Sequence, residues 1–446
     1  MQQPLSQWLQ QSPYQAYSYS YPHKSAYRVF QQPQSLPHVW SEEDTKALFL
    51  YVHIPFCEMR CGFCNLFTLS RPRAVLQQEY VNALLRQIRS IAPVFEKAQF
   101  ARFAMGGGTP TYLSVEQLDQ VLSVVNALPG MDTQAIPVSV EVSPLTATRE
   151  KLALLRDFGI DRISMGVQSF DDAEVGLLVR KQSRAQVATA LENIRLWNFP
   201  VVNLDLIYGI AGQTPKSWLV SLQKTLEFQP EEIYLYPLYV RPLTGLNRME
   251  SQLGKVLTIQ DQRQELYRLG RDYLLANGYE QLSMRMFRLR HTVAGNGPVY
   301  CCQEDGMLGL GSGARSYTRA LHYSGEYAVG REPIKKIIDG YCDKSEQQFL
   351  QVDYGIRLSL EEQKRRYLIQ SLLLLEGLNT SAYFRRFQSA VWQDFACLSE
   401  LLHLSLAQKQ NGRVTLTAKG IAHSDSIGPW LASAQVRQKM QSFALR

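Results

Sequence analysis

Nowhere do the 446 residues run to the ~18 consecutive apolar positions that a membrane-spanning helix needs, so no such span is expected. The opening residues, MQQPLSQWLQQSPYQAYSYSYPHKSAYR, lack the basic start and apolar core of a secretory signal. No run of lysine and arginine forms a basic arm, and a formal charge of +7 is mild for this length. A nucleic acid is therefore not the expected partner, while anionic small molecules are compatible with the charge. Cysteine is scarce: there are seven, an odd number, and no second C-x2-C pair accompanies the one at 61–64. That excludes a disulfide framework and points to a reducing, cytoplasmic compartment. With 45% hydrophobic and 20% charged residues, the composition is that of an ordinary globular protein. The length leaves room for roughly two to four domains.

Residues 1–46, rich in Gln, Ser, Tyr and Pro, carry no sustained periodicity and read as an arm. Their section YSYSYPHKSAYR is too aromatic for a linker and is expected to dock. From Leu48 onward, short apolar strands alternate with amphipathic helices. The strands are expected at Leu48–Ile54, Arg102–Met105, Val138–Val142, Arg162–Gly166, Val201–Leu206 and Ile233–Leu238. The helices are expected at Gln78–Ile91, Val115–Asn126, Arg149–Phe158, Arg184–Trp197 and Lys216–Phe228. Such alternation implies parallel βαβ units with right-handed crossovers. Periodicity does not separate an open doubly wound sheet from a barrel. A helix at Ile259–Asn277 and a strand-like segment at Tyr279–Arg290 follow, then the glycine-rich LGLGSGARSY at 308–317. The polar stretch 331–355 reads as a linker. Beyond it, a strongly periodic helix at 358–378, shorter helices and an Asn-Gly turn in NGRVTLTAKG (411–420) suggest a small helical, winged-helix-like domain over 356–446.

The chemistry concentrates in YVHIPFCEMRCGFCNLF, residues 51–67, directly after the first strand. Cys57, Cys61 and Cys64 stand in the spacing C-x3-C-x2-C. Thiolates are the soft ligands that iron–sulfur clusters take, and three of them leave one iron of a cubane open to a small molecule. Zinc is the bland alternative, but it wants a fourth ligand nearby. Later candidates each end a predicted strand. GGGTP at 106–110 lets backbone approach a ligand closely, or simply makes a tight turn. Glu141 is a lone carboxylate that could equally be a surface residue. Gln168 both donates and accepts, and Asp205 ends an otherwise apolar run, where a buried acid needs a partner. Tyr51 and Phe63 flank the cysteine loop, a position that fits core packing equally well. His53 reads as packing that supports the loop, and His23 would near the site only if the arm folds over it. Cys301 and Cys302 are adjacent; they are either incidental or a thiolate facing the site.

The string HIPFC with C-x3-C-x2-C, followed in order by GGGTP, E-x-x-P at 141, Gln168, Arg180 and G-x-G-x-x-S/A, resembles the radical S-adenosylmethionine (SAM) superfamily. Within it, the chain is similar to the oxygen-independent coproporphyrinogen III oxidase and heme chaperone group. The resemblance implies a partial (β/α)6 barrel over 47–330 and a [4Fe-4S] cluster on Cys57, Cys61 and Cys64 with SAM on the open iron. It further implies SAM contacts from Tyr51, Phe63, Gly107, Gly108, Thr109, Glu141 and Pro237. Gln168, Arg180 and Asp205 would serve SAM or a second SAM molecule. A small-molecule substrate of tetrapyrrole type and an electron donor such as flavodoxin or ferredoxin also follow from it.

The chain departs from both members of that group. Leu66 stands where the oxidase has a fourth cysteine, and YCCQEDGMLGLG replaces the chaperone's H-N-x-x-Y-W string. Three readings stay open: oxidative decarboxylation of a tetrapyrrole, radical methylation or another radical reaction on a different metabolite, and heme carriage. All three predict that replacing Cys57, Cys61 or Cys64 by Ala abolishes the brown chromophore of anaerobically reconstituted protein. Full iron content in all three variants would contradict the cluster assignment.

Overall fold

The computed structural model describes residues 3–253, 262–290, 292 and 306–446. Cys301 and Cys302 and the first part of the helix expected at Ile259–Asn277 lie outside the described residues.

Among the described residues thirteen strands form one sheet. In chain order they are β1 (Arg28–Ser35), β2 (Leu48–Ile54), β3 (Phe100–Gly107), β4 (Val138–Val142), β5 (Arg162–Gln168), β6 (Val201–Tyr208), β7 (Glu232–Pro237), β8 (Tyr279–Gln281), β9 (Met286–Leu289), β10 (Met307–Leu310), β11 (Arg315–Tyr317), β12 (Leu321–Ser324) and β13 (Gln351–Arg357). Their spatial order is β1-β13-β12-β11-β10-β2-β3-β4-β5-β6-β7-β9-β8. Strands β2 to β7 are parallel and neighbour one another in sequence order. A sheet wound in one direction this way keeps its crossover helices on one face and curls into a barrel. A doubly wound sheet would reverse its strand order. Beyond this partial barrel the sheet continues with β10, parallel to β2, and then antiparallel strands out to β1.

Local chemistry sets the crossovers. Ser114 and Gln117 form a capping box on helix Val115–Asn126, and Ser183 with Gln186 does the same for Arg184–Leu196. Thr214 caps Pro215–Glu227, where Pro215 occupies the first turn. The barrel strands alternate. Val138, Val140 and Val142, Ile163, Met165 and Val167, and Val202, Leu204 and Leu206 are buried against the helices. Between them Ser139, Glu141, Ser164, Gly166, Asn203 and Asp205 point the other way, into the barrel, because successive strand side chains alternate faces.

The stretch 331–355 is not a linker. It folds as helix Arg331–Cys342, helix Glu346–Phe349 and most of β13. Its Lys, Glu and Asp residues occupy an exposed face, while Ile334, Ile338 and Tyr341 are buried, so a polar composition concealed an amphipathic helix. The arm is also structured: helix Leu5–Gln11 precedes β1, which pairs with β13. The segment Tyr279–Arg290 is an antiparallel pair, β8 and β9. The C-terminal residues form helices, beginning with Leu360–Leu372, and a three-stranded sheet of Leu378–Asn379, Arg413–Leu416 and Ala407–Gln410. The Asn411-Gly412 turn joins the last two, so the hairpin begins four residues before that turn. Among the described residues no helix is long and apolar enough to cross a membrane.

Barrel, arm and C-terminal region meet at Arg285. Its guanidinium pairs with Asp425, and their side chains are 3% and 1% exposed. Tyr239 donates its hydroxyl to the same carboxylate, Gln15 and Ala16 donate their N–H groups to the Asp425 carbonyl, and the Tyr17 ring lies 3.8 Å beneath the guanidinium carbon. Asp425→Ala strands that cation in a buried site and is expected to cost about 3–5 kcal/mol in denaturant unfolding. A loss below about 1 kcal/mol would show that the pair does not join the three parts.

Candidate functional site

The C-terminal ends of the parallel strands open into a lumen. Glu141 is accessible to a water-sized molecule although protein surrounds it on all sides, and Asp205, Tyr51, Tyr236 and Arg315 are each partly accessible. Tyr17 and Tyr19 of the arm are both 38% exposed yet sit over this opening: Tyr17 packs edge-on against Tyr236, and Tyr19 against Tyr17. Side chains that are deep in the fold yet accessible line an internal cavity.

The cysteine loop forms one wall. Cys57 receives the Thr109 hydroxyl at 3.6 Å, Cys61 receives Nη1 of Arg180 at 3.2 Å, and Cys64 lies 3.8 Å from the Thr68 hydroxyl. The thiols do not converge on one point. Among the described residues no three His, Cys, Asp or Glu side chains could hold a single metal ion. Ligands to separate irons of a cubane have no need to converge. Gly62 anchors the loop, donating to Leu178 O and accepting from Leu246 N, both at 2.8 Å. Phe63, half-buried like Tyr236, packs beneath it against a small core of Leu178, Ile207, Ile210, Leu238 and Leu246. His53 bridges 3.0 Å to Phe67 O, at the loop's exit, and burial pushes its pKa down to about 4, which keeps the ring neutral.

The glycine segment lies against this loop. Gly107 has φ +113°, and a Cβ there would meet the His53 ring; a Cβ at Gly108 would lie 2.4 Å from Phe56 O. Gly108 and Thr109 donate their N–H groups to Ile54 O and Phe56 O, which fastens the segment to the approach of the cysteine loop. Gly107 N–H donates to Glu141 at 3.0 Å. Burial still pushes Glu141 up to about 7, with Asp205 adding to the rise and Arg162 opposing it. Burial likewise raises Asp205 to about 6, against a 2.8 Å hydrogen bond from Asn203 and the field of Arg162. Gln168 sits at φ +71°, a strained position for a non-glycine residue and one of the places where functional sites store strain. Arg180 reaches from Gly166 O, at 2.7 Å, to Cys61.

Cys57, Cys61, Cys64, Thr109, Glu141, Gln168, Arg180, Asp205 and Tyr51 therefore line or adjoin one cavity. Phe63 packs against the same small core as Tyr236. Pro237 is buried at the end of β7, while its neighbours Tyr234 and Tyr236 stack on each other and face inward. Several residues at the lumen escaped the sequence reading: Tyr17, Tyr19, Lys24, Arg241 and Arg315, as did Arg285 in its wall. The alternation S-V-E in β4, N-L-D in β6 and Y-L-Y in β7 was the signal for a polar inner face. The aromatic arm was the signal for a docked cover. Arg285 left no signal. His23 does come near the mouth, stacked edge-on against Tyr19.

The radical SAM superfamily model matches residues 51–224. The heme chaperone HemW of Bacillus subtilis is 28% identical over 374 residues, covering 83% of this chain and 95% of that protein. The oxygen-independent coproporphyrinogen III oxidase of Escherichia coli K12 is 26% identical over 427 residues, covering 91% of each chain. The crystal structure of the E. coli oxidase HemN superposes with a TM-score of 0.79 at 24% identity, over 92% of this chain and 96% of that one, which establishes the shared fold. Residues 51–224 thus match the radical SAM superfamily, and over most of its length the chain is similar to coproporphyrinogen III oxidase and HemW. That family implies a [4Fe-4S] cluster and SAM. The donor set fits such a cluster: three thiols on one loop, each within reach of an O–H or N–H donor, beside a glycine segment too close-packed for any side chain.

An ordinary glutamate titrates near 4.5 and Glu141 near 7. Its contribution to the unliganded fold is thus full below pH 4.5 and lost as pH rises through 7. Glu141→Gln should raise the Tm of the unliganded protein at pH 8 and leave it unchanged at pH 4.5. An identical pH dependence of Tm in parent and variant would contradict the burial of this carboxylate.

Proposed function

We propose that this protein is a radical SAM enzyme acting on a substrate that bears several carboxylates, with oxygen-independent oxidation of coproporphyrinogen III as its best-named instance. In that reading Cys57, Cys61 and Cys64 hold the [4Fe-4S] cluster and leave one iron for SAM. The bound pair supplies reductive SAM cleavage and a radical that takes hydrogen from the substrate. Gly107, Gly108, Thr109 and Glu141 position SAM, and the raised pKa of Glu141 suits it to accept from an ammonium or hydroxyl group that then satisfies it. Arg180 holds the cysteine loop in place through Cys61. Tyr51, Gln168 and Asp205 face the space that a second SAM or the substrate would fill.

The observation that carries the substrate class is a set of cations at the lumen mouth without counter-ions. Among the described residues, Lys24, Arg241 and Arg315 make no ion pair with a carboxylate. Lys24 instead stacks 3.5 Å above the Tyr327 ring, Arg315 donates to the Tyr19 hydroxyl at 3.0 Å, and Arg241 lies 4.1 Å over Tyr239. Burial, Arg315 and Arg241 are among the influences that hold His23 down near a pKa of about 3, and burial and Arg315 push Lys24 well below its ordinary value. Half-buried cations that repel one another and have no counter-ion call for an anion from outside. The tyrosine-rich lining adds flat apolar surface beside them, which suits a large ring system with charged arms.

The relatives named as heme chaperones favour a second reading, because heme also carries carboxylates. An anaerobic assay decides between the two. The enzyme reading predicts consumption of coproporphyrinogen III with release of carbon dioxide. Arg315→Gln and Lys24→Met should each raise KM about tenfold or more, the size expected for one lost charge-assisted hydrogen bond. No consumption, together with saturable heme binding, would overturn it in favour of the carrier.

A further inference from the structure

Two buried polar side chains have no partner in the fold, and both face the same place. His322 is 1% exposed and neither of its ring nitrogens makes a hydrogen bond; Tyr27 is fully buried and its hydroxyl makes none. The sheet sets them in one row. His322 in β12 stands opposite Tyr317 in β11 on one side and Ile356 in β13 on the other. Tyr27 falls beside Ile356, because the next residue, Arg28, pairs with Gly355. Residues opposite one another on neighbouring strands share a face, and Arg315, two residues before Tyr317, shares it too. This face continues from the lumen mouth. The Tyr317 and His322 ring centroids are 4.5 Å apart, and Arg315 reaches the Tyr19 hydroxyl at 3.0 Å and the Ser20 hydroxyl at 3.4 Å. From helix Leu360–Leu372, Arg366, also buried, is close enough to act on Tyr27, Tyr317 and His322. Burial, then Arg366 and Arg315, hold His322 well below its ordinary pKa, so the ring is neutral with one N–H to donate. Burial pushes Tyr27 well above its own, which keeps the hydroxyl proton in place. Glu362 is buried one turn before Arg366, but its carboxylate already accepts the Tyr21 hydroxyl. Buried polar groups are almost always hydrogen-bonded, so donors left over beside two guanidinium groups mark the place of an anionic acceptor.

We propose that Tyr27 and His322, with Arg315 and Arg366 beside them, form a subsite for one carboxylate group. The inference deepens the reading of a substrate with several carboxylates and rests on it for the source. That source is an arm of the substrate reaching past Arg315, or a small free carboxylate. The carboxylate accepts from the Tyr27 hydroxyl and the His322 N–H, and no covalent bond changes. A ring with two carboxylates can be held by the cations of the mouth alone. A ring with four has an arm to spare for Tyr27 and His322, so the subsite tells the two apart by their number of carboxylates.

The test uses the full chain and its variants Tyr27→Phe and His322→Phe, which remove the donors and keep a ring in place. Coproporphyrin III, the stable oxidised form of the substrate named above, and mesoporphyrin IX, with two carboxylates, are titrated by fluorescence quenching. Acetate is titrated by its effect on Tm. Each variant loses a buried group that has no protein partner, so the Tm of the free protein should stay the same or rise. Each should bind coproporphyrin III about tenfold or more weakly, the size of one lost charge-assisted hydrogen bond, and mesoporphyrin IX as the parent does. That result assigns the subsite to a substrate arm. Unchanged porphyrin affinity, with acetate raising the Tm of the parent and not of the variants, assigns it to a free carboxylate. Variants that match the parent with all three probes overturn the proposal. So does a Tm that falls in both variants, which marks a structural water there instead. If the parent binds neither porphyrin, the substrate reading fails, and the acetate titration still decides the subsite.

Discussion

Arg285 is buried in the wall of the barrel, and a guanidinium cannot stay there charged without a partner. Asp425, 140 residues further along the chain, supplies it. The same carboxylate and its backbone carbonyl take up Tyr239 and the arm at Gln15 and Ala16, and the guanidinium face takes up Tyr17. One ion pair therefore sets the C-terminal region against the barrel and draws the arm across its mouth. With the arm in place, the lumen has a low effective dielectric. Burial is the largest cause of the displaced pKa values of Glu141, Asp205, Lys24 and His23.

Enclosure also explains why the lumen is polar. Six parallel strands give six inner faces, and burying apolar groups there would fill the barrel. Instead Ser139, Ser164 and Asn203 lead from the Arg162–Glu232 pair at the lower end towards Glu141 and Asp205. Negative groups thus lie deep and positive ones, Lys24, Arg241 and Arg315, at the rim. A ligand that is cationic at one end and meets a carboxylated partner at the other would satisfy both.

The parallel strands were legible because each carries an uninterrupted apolar face against its helices, and the crossover helices after the first begin on caps at Ser114, Thr148, Ser183 and Thr214. The cysteine loop and GGGTP were legible because thiol spacing and glycine triplets have few alternative explanations. Residues 331–355 were misjudged because an amphipathic helix with a highly charged outer face has the composition of a linker. Pro237 was placed in the site by analogy, whereas the strand's pleat turns Tyr236 inward instead. The cations of the mouth were not legible at all. Lys24, Arg241 and Arg315 come from the arm, the segment after β7 and the glycine-rich segment, and only tertiary packing brings them together.

The central claim is that the three thiols and the segments beside them bind a cluster and SAM so as to generate a radical. It is tested most directly by incubating anaerobically reconstituted protein with a low-potential reductant and SAM and measuring 5′-deoxyadenosine. The account predicts release of 5′-deoxyadenosine that disappears in Cys61→Ala. Protein that carries a full complement of iron and sulfide, is reduced, binds SAM and yet releases none would contradict it.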